Sequence, residues 1–148
     1  MRRQIYSLLV ENTSGVTSHI SGLFARRGYN IDSFAAGVTT DPRFTRITIA
    51  STGDEQILEQ IEKQLNKKID VIKIKSFESW QAVARELILI KVRYNKSNRR
   101  DIMENCDIMG ATIVVMSKNQ MTIQMCDTPE RVLTFLDVMK GTSIQIGR

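Results

Sequence analysis

The sequence holds one histidine, His19, and two cysteines, Cys106 and Cys126. One imidazole cannot supply a multi-histidine metal site, and no serine and acid accompany it at a spacing that suggests a nucleophilic triad. His19 sits next to Ile20 in an apolar-periodic stretch with nothing pairing with it in sequence, so it reads as a helix-surface or interface histidine. The cysteines form no Cys-x-x-Cys pair and read as small hydrophobes, one on a helix and one on a strand. Neither a G-x-G-x-x-G fingerprint nor a P-loop is present. Acidic residues are scattered along helical stretches, where i,i+4 pairing or plain solvation accounts for them. This inventory describes a binding or regulatory protein with no catalytic residues and no metal ligands.

The one stretch with binding chemistry is Glu11-Asn12-Thr13-Ser14-Gly15-Val16, a turn entering a helix. The first N–H groups of a helix have no intrahelical partner and lie at the positive end of its dipole, a setting that suits a carboxylate. Gly15 permits close approach to the backbone. Asn12 adds an amide able to accept from an ammonium group. Asn30 and Ile31 follow the same helix with a second amide and an apolar neighbour. Asn12, Gly15, Val16, Asn30 and Ile31 are therefore the candidate effector-binding residues. On spacing alone, ordinary turn chemistry explains the same letters.

The elements that position this turn follow from periodicity. Arg3 to Val10 reads as a strand. A helix follows with Val16, Ile20, Leu23 and Phe24 on one face, closed by Gly28. Ile31 to Thr39 and Phe44 to Ser51 read as strands about an Asp41-Pro42 turn. Thr52-Gly53-Asp54 caps a helix with Ile57, Leu58, Ile61 and Leu65 on one face, and Ile69 to Ile74 is a fourth strand. The second half repeats this order. Strand Glu86 to Tyr94 is followed by a helix from Asn98 to Met109, capped by Asn98 or Ser97, and a hairpin about Lys118-Asn119. A helix opening at Thr128-Pro129-Glu130 and a last strand, Ser143 to Ile146, complete it. The expected fold is α+β, two ferredoxin-like βαββαβ domains, over residues 1–77 and 84–148. Residues 77–83, with the only Trp, form the expected boundary. Each half is small for an independent core, so packing against partners is expected.

Composition narrows the class. Hydrophobic residues make up 42% and charged residues 25%, ordinary values for a globular chain. No apolar run approaches the ~18 residues of a membrane span, and the start shows no secretory pattern, so a cytoplasmic protein without membrane association is expected. The charge of +5 is spread evenly, with 11 Lys+Arg against 8 Asp+Glu in residues 1–76 and 10 against 8 in the remainder. Aromatic residues are 6%, and the strands offer Ile47, Thr48 and Ile49 with no aromatics to stack bases, so RNA recognition on this fold is disfavoured and no nucleic-acid partner is expected.

Residues 2–75 resemble the regulatory ACT domain of the acetolactate synthase small-subunit family. The resemblance is carried by Leu9-Val10-Glu11-Asn12-Thr13-Ser14-Gly15-Val16, by Gly22-Leu23-Phe24-Ala25-Arg26-Arg27-Gly28-Tyr29-Asn30-Ile31, and by the stretch from Gly53 through Glu55-Gln56-Ile57 to Lys67. Ala84 to Val92 resembles the opening of the family's C-terminal domain. The resemblance implies a subunit that has no active site and binds no cofactor. Its partner would be the large catalytic subunit, carrying thiamine diphosphate, magnesium and FAD. That enzyme joins two pyruvates, or pyruvate and 2-oxobutyrate, on the route to valine, leucine and isoleucine. The small subunit would raise its activity and confer feedback inhibition by valine or another branched-chain amino acid.

The resemblance further implies a homodimer in which two ACT domains pair edge to edge. The effector would lie between the Asn12–Val16 turn of one chain and Asn30 and Ile31 of the other. An alternative within the same chemistry is a stand-alone amino-acid-sensing ACT regulator of another enzyme. This sequence departs from the family in three places. His19 stands where Arg is frequent, Met116, Met121 and Met125 cluster about the second hairpin, and the chain ends at Arg148, where the family usually continues.

Overall fold

The computed structural model describes residues 1–147, and Arg148 lies outside them. The chain forms two compact units, Met1–Ala82 and Val83–Arg148. Among the described residues no helix is long and apolar enough to cross a membrane.

The first unit runs β1 (Arg2–Glu11), α1 (Val16–Arg27), β2 (Ser33–Val38), β3 (Phe44–Gly53), α2 (Glu55–Asn66) and β4 (Val71–Glu78). Its sheet order is β2-β3-β1-β4, antiparallel throughout. Alternation on β1 sends Tyr6, Leu8 and Val10 to one face, where each is fully buried. Ile20, Leu23 and Phe24 of α1 and Leu58, Ile61 and Leu65 of α2 meet them there, forming the core. Each such side chain contributes about 1.5–3 kcal/mol through burial. The Tyr6 hydroxyl donates to the Leu58 carbonyl at 2.9 Å, tying the central strand to α2. Burial there pushes its ionisation well above the ordinary phenol range. Asp54 starts α2 by accepting from the Ile57 N–H at 2.9 Å.

Both outer strands of this sheet are single-sided, but they differ in chemistry. β2, Ser33-Phe34-Ala35-Ala36-Gly37-Val38, carries no charge, and Val38 is 61% exposed. β4 carries exposed Lys73 and Lys75 and ends in Glu78.

The second unit repeats the order with β5 (Glu86–Arg93), α3 (Arg99–Met109), β6 (Thr112–Met116), β7 (Gln120–Asp127), α4 (Pro129–Val138) and β8 (Ser143–Gly147). The sheet order is β6-β7-β5-β8. Ile88, Ile90 and Val92 pack against Ile102, Cys106, Val132 and Phe135. Met121 and Met125 belong to this core, whereas Met116 is 47% exposed, so the methionines of the second hairpin divide between packing and surface. Thr128 caps α4 by accepting from the Arg131 N–H, and Pro129 occupies the first turn.

Three expected details change. β2 starts at Ser33, and Ile31 lies in the preceding turn, half-buried against the first core. β4 continues past Ile74 to Glu78, because Phe77 and Glu78 pair with Ile5 and Gln4 of a longer β1, and a 3-10 turn follows at Ser79–Gln81. Asn98 precedes α3 as expected, but its side chain does not cap the helix. Its Oδ1 accepts from the Asn95 N–H, while the Asn95 carboxamide accepts from the Ser97 and Asn98 N–H groups. The turn is closed by Asn95, three residues earlier.

The two thiols differ in environment. Cys106 is buried, and burial, helped by Asp107, raises its pKa to about 11. Cys126 is exposed on β7. An aromatic disulfide reagent at neutral pH should modify Cys126 rapidly and Cys106 only at the rate of unfolding. Absorbance counted against time should show one fast thiol per chain, and two fast thiols would contradict the packing of α3.

Candidate functional site

The turn after β1 is built around Gly15. Its φ of 88° and ψ of −10° place it in the left-handed region at the N-terminus of α1. No side chain caps this helix start, and no acid lies in its first turn. The first-turn amides of α1 are therefore not answered by a capping side chain, and the dipole there is not balanced by a local carboxylate. The start of α3 likewise has no capping side chain, but there Asp101 lies in the first turn, whereas α1 has no acid.

Asn12 has structural work as well. Its Nδ2 donates to the Pro42 carbonyl at 2.8 Å, its Oδ1 accepts from the Thr45 hydroxyl at 3.2 Å, and its backbone N–H donates to Arg43 O at 2.8 Å. It pins the turn to the β2–β3 hairpin. One lone pair on Oδ1 stays open to a second donor. Within that hairpin the Arg43 guanidinium holds the Asp41 carboxyl below its usual range through hydrogen bonds of 2.7–3.2 Å. Val16 is 4% exposed and packed in the core, so its backbone, not its side chain, is what it presents at the turn.

His19 and Asp70 join this end of the unit. His19 Nδ1 lies 2.9 Å from Asp70 Oδ2, and the Asp70 carbonyl accepts from the Glu11 N–H at 3.0 Å. A carboxylate only accepts, so Nδ1 carries the proton of this contact. The other ring nitrogen, Nε2, lies 3.9 Å from where a Cβ on Gly15 would stand. Periodicity could not reveal this pair, because its members are 51 residues apart. The β1–β4 register does contain the signal: Val10 faces Val71, which brings Asp70 beside Glu11.

Asn30 and Ile31 occupy the opposite end of α1. The helix has 12 residues, about 18 Å at 1.5 Å per residue. Asn30 is exposed, and its Nδ2 donates to Asp32 Oδ1 at 2.7 Å. Its carbonyl accepts from the buried Ser51 hydroxyl at 2.6 Å, and Asp32 Oδ2 accepts from the Thr52 hydroxyl at 2.6 Å. These contacts lock Asn30 onto the start of β2. One chain thus brings Asn12, Gly15 and Val16 together and holds Asn30 and Ile31 together, but it keeps the two groups a helix length apart. Among the described residues no group of three or more His, Cys, Asp or Glu side chains is arranged to hold a metal ion.

Residues 6–73 match a family model described as the AHAS small subunit-like ACT domain, and residues 85–146 match one described as the small subunit of acetolactate synthase. The chain is 39% identical over 141 residues to the acetolactate synthase isozyme 3 small subunit of Salmonella typhimurium, covering 95% of this chain and 86% of that one. It is 41% identical over 138 residues to the acetolactate synthase small subunit of Haemophilus influenzae, covering 93% and 85%. The crystal structure of the acetolactate synthase small subunit from Thermotoga maritima superposes with a TM-score of 0.93 at 31% identity, covering 99% of this chain and 92% of that chain.

Proposed function

The chain belongs to the acetolactate synthase small-subunit family, and on that premise we propose that it senses a branched-chain amino acid through its first unit and passes the signal to a catalytic subunit. Its role is that of a regulatory subunit of acetolactate synthase, a transferase of branched-chain amino-acid biosynthesis. Residues 1–77 act as the ACT regulatory domain and residues 84–148 as the C-terminal domain that supports assembly. The large catalytic subunit, in the cytoplasm, carries thiamine diphosphate, magnesium and FAD. This chain raises its activity and makes it sensitive to valine.

The observation that carries the reading is the uncapped start of α1 at Gly15, with Asn12 anchored beside it. The effector carboxylate binds the first-turn amides, and its ammonium group meets the open lone pair of Asn12 Oδ1. Asn30 and Ile31 complete the site from a second copy of the chain. Their separation from Gly15 by the length of α1 leaves one chain with two half-sites that cannot close on each other. The uncharged edge of β2 supports the pairing, since exposed edges that must stay single usually carry charges, and this one carries none. Occupancy of a site shared by two chains is coupled to how those chains pair, and linkage carries the signal.

A mixed dimer tests the sharing. One chain carries Asn12→Ala and the other Asn30→Ala, joined with distinguishable tags. Of the two composite sites, one contains both defects and the other is intact. Calorimetry with L-valine should give half the sites of the wild type at unchanged affinity. Two equal, weakened sites would mean that each chain builds its own site.

A further inference from the structure

We propose that His19 is a further binding residue of the effector site, its Nε2–H donating to the effector carboxylate while Asp70 holds the ring in place. This inference rests on the effector-turn reading given above. Three observations carry it. Nε2 lies 3.9 Å from the position of a Cβ on Gly15, over the backbone that receives the carboxylate. The Nδ1 contact with Asp70 Oδ2 at 2.9 Å fixes which edge of the ring points to the turn. Asp70 is itself held, its carbonyl accepting from the Glu11 N–H and its side chain only 19% exposed. The ring is thus oriented by a carboxylate that has a fixed backbone, the arrangement that prepares an imidazole for one partner.

The chemistry sets a direction. With Nδ1–H given to Asp70, a neutral ring offers only a lone pair at Nε2, which a carboxylate repels. A protonated ring offers Nε2–H and a positive charge, and a charge-assisted hydrogen bond follows. The amino acid therefore binds the form in which both ring nitrogens carry a proton. The charged groups of the surrounding elements are Lys67, Lys68 and Asp70 on the α2–β4 turn, Glu11 at the end of β1, and the Asp41–Arg43 pair on the β2–β3 hairpin. The first turn of α1 adds no acid. Of these groups Asp70 is the one that contacts the His19 ring, at 2.9 Å.

The test is calorimetric titration of the full chain with L-valine, L-leucine and L-isoleucine. His19→Ala should lose affinity about tenfold or more for each. His19→Arg should keep most of the affinity, because guanidinium also donates to a carboxylate. Asp70→Asn should weaken binding less than His19→Ala does. If His19→Ala binds like the wild type, the role of His19 is overturned while the effector turn stands. If none of the three amino acids binds the wild type, the effector-turn reading itself fails, and the inference falls with it.

Discussion

Gly15→Asp should lose amino-acid binding by a hundredfold or more while the protein stays folded. The fold survives because a Cβ at residue 15 meets nothing closer than His19 Nε2 at 3.9 Å. The left-handed φ of 88° costs a non-glycine residue about 1–2 kcal/mol, and aspartate is among the residues that tolerate it best. Its carboxylate also favours a helix N-terminus by about 0.3–1 kcal/mol, which offsets part of that strain. Binding fares otherwise. The new carboxylate caps the amides that the effector needs, attracts the His19 ring, and repels the incoming anion. Like-charge juxtaposition costs several kcal/mol, and about 2.7 kcal/mol already removes a hundredfold of affinity. Gly15→Ala bears the same backbone strain without the charge and should lose only a few-fold. Calorimetry with L-valine and a thermal melt of each variant read both parts. Wild-type affinity in a folded Gly15→Asp protein would place the site elsewhere.

Ala35→Lys should dissociate the pairing between copies and abolish sensing at the same time. Ala35 lies mid-strand on β2, exposed, and opposite Thr48 of β3. Two copies of this short strand joined in antiparallel fashion place both lysines in one narrow ribbon, where they repel and block close approach. Because the proposed site draws Asn30 and Ile31 from the second copy, effector binding should disappear together with the dimer. Sedimentation velocity at micromolar chain concentration should shift toward the monomer, with the dissociation constant raised about a hundredfold or more. The core should be untouched, since the side chain projects away from the helices. A variant that stays dimeric and still binds valine would show that β2 is not the joining edge.

Much of the fold was legible because the signals were local. Val16, Ile20, Leu23 and Phe24 repeat at helical spacing, and the structure buries all of them on α1. Gly28 closes α1 in the left-handed conformation, as its position suggested. Asp54 and Thr128 cap as their positions suggested. What escaped was set by partners far along the chain. The last four residues of β4 look weak by themselves and become strand because β1 is ten residues long and offers Gln4 and Ile5 to pair with. Asn98 looked like a cap, yet its Oδ1 turns back to accept from the Asn95 N–H.

At the candidate site, the letters of the Asn12–Val16 turn marked the place, but the environment of each residue was hidden. The Pro42 carbonyl that fixes Asn12 belongs to a hairpin thirty residues away. Val16 gives its side chain to the core because it opens the buried stripe of α1, a role the turn motif does not distinguish from ligand contact. His19, which had nothing to pair with in sequence, acquires Asp70 through the strand register alone.

The unequal edges of the first sheet bear on how large an assembly can grow. An uncharged strand on both sides would let each added copy present a fresh edge, and the sheet would extend without limit into a fibre. Here β2 is bare and β4 carries Lys73 and Lys75. In the proposed β2–β2 pairing the charged β4 is left at each end of the joined first sheet, so that sheet presents no second bare edge to a further copy.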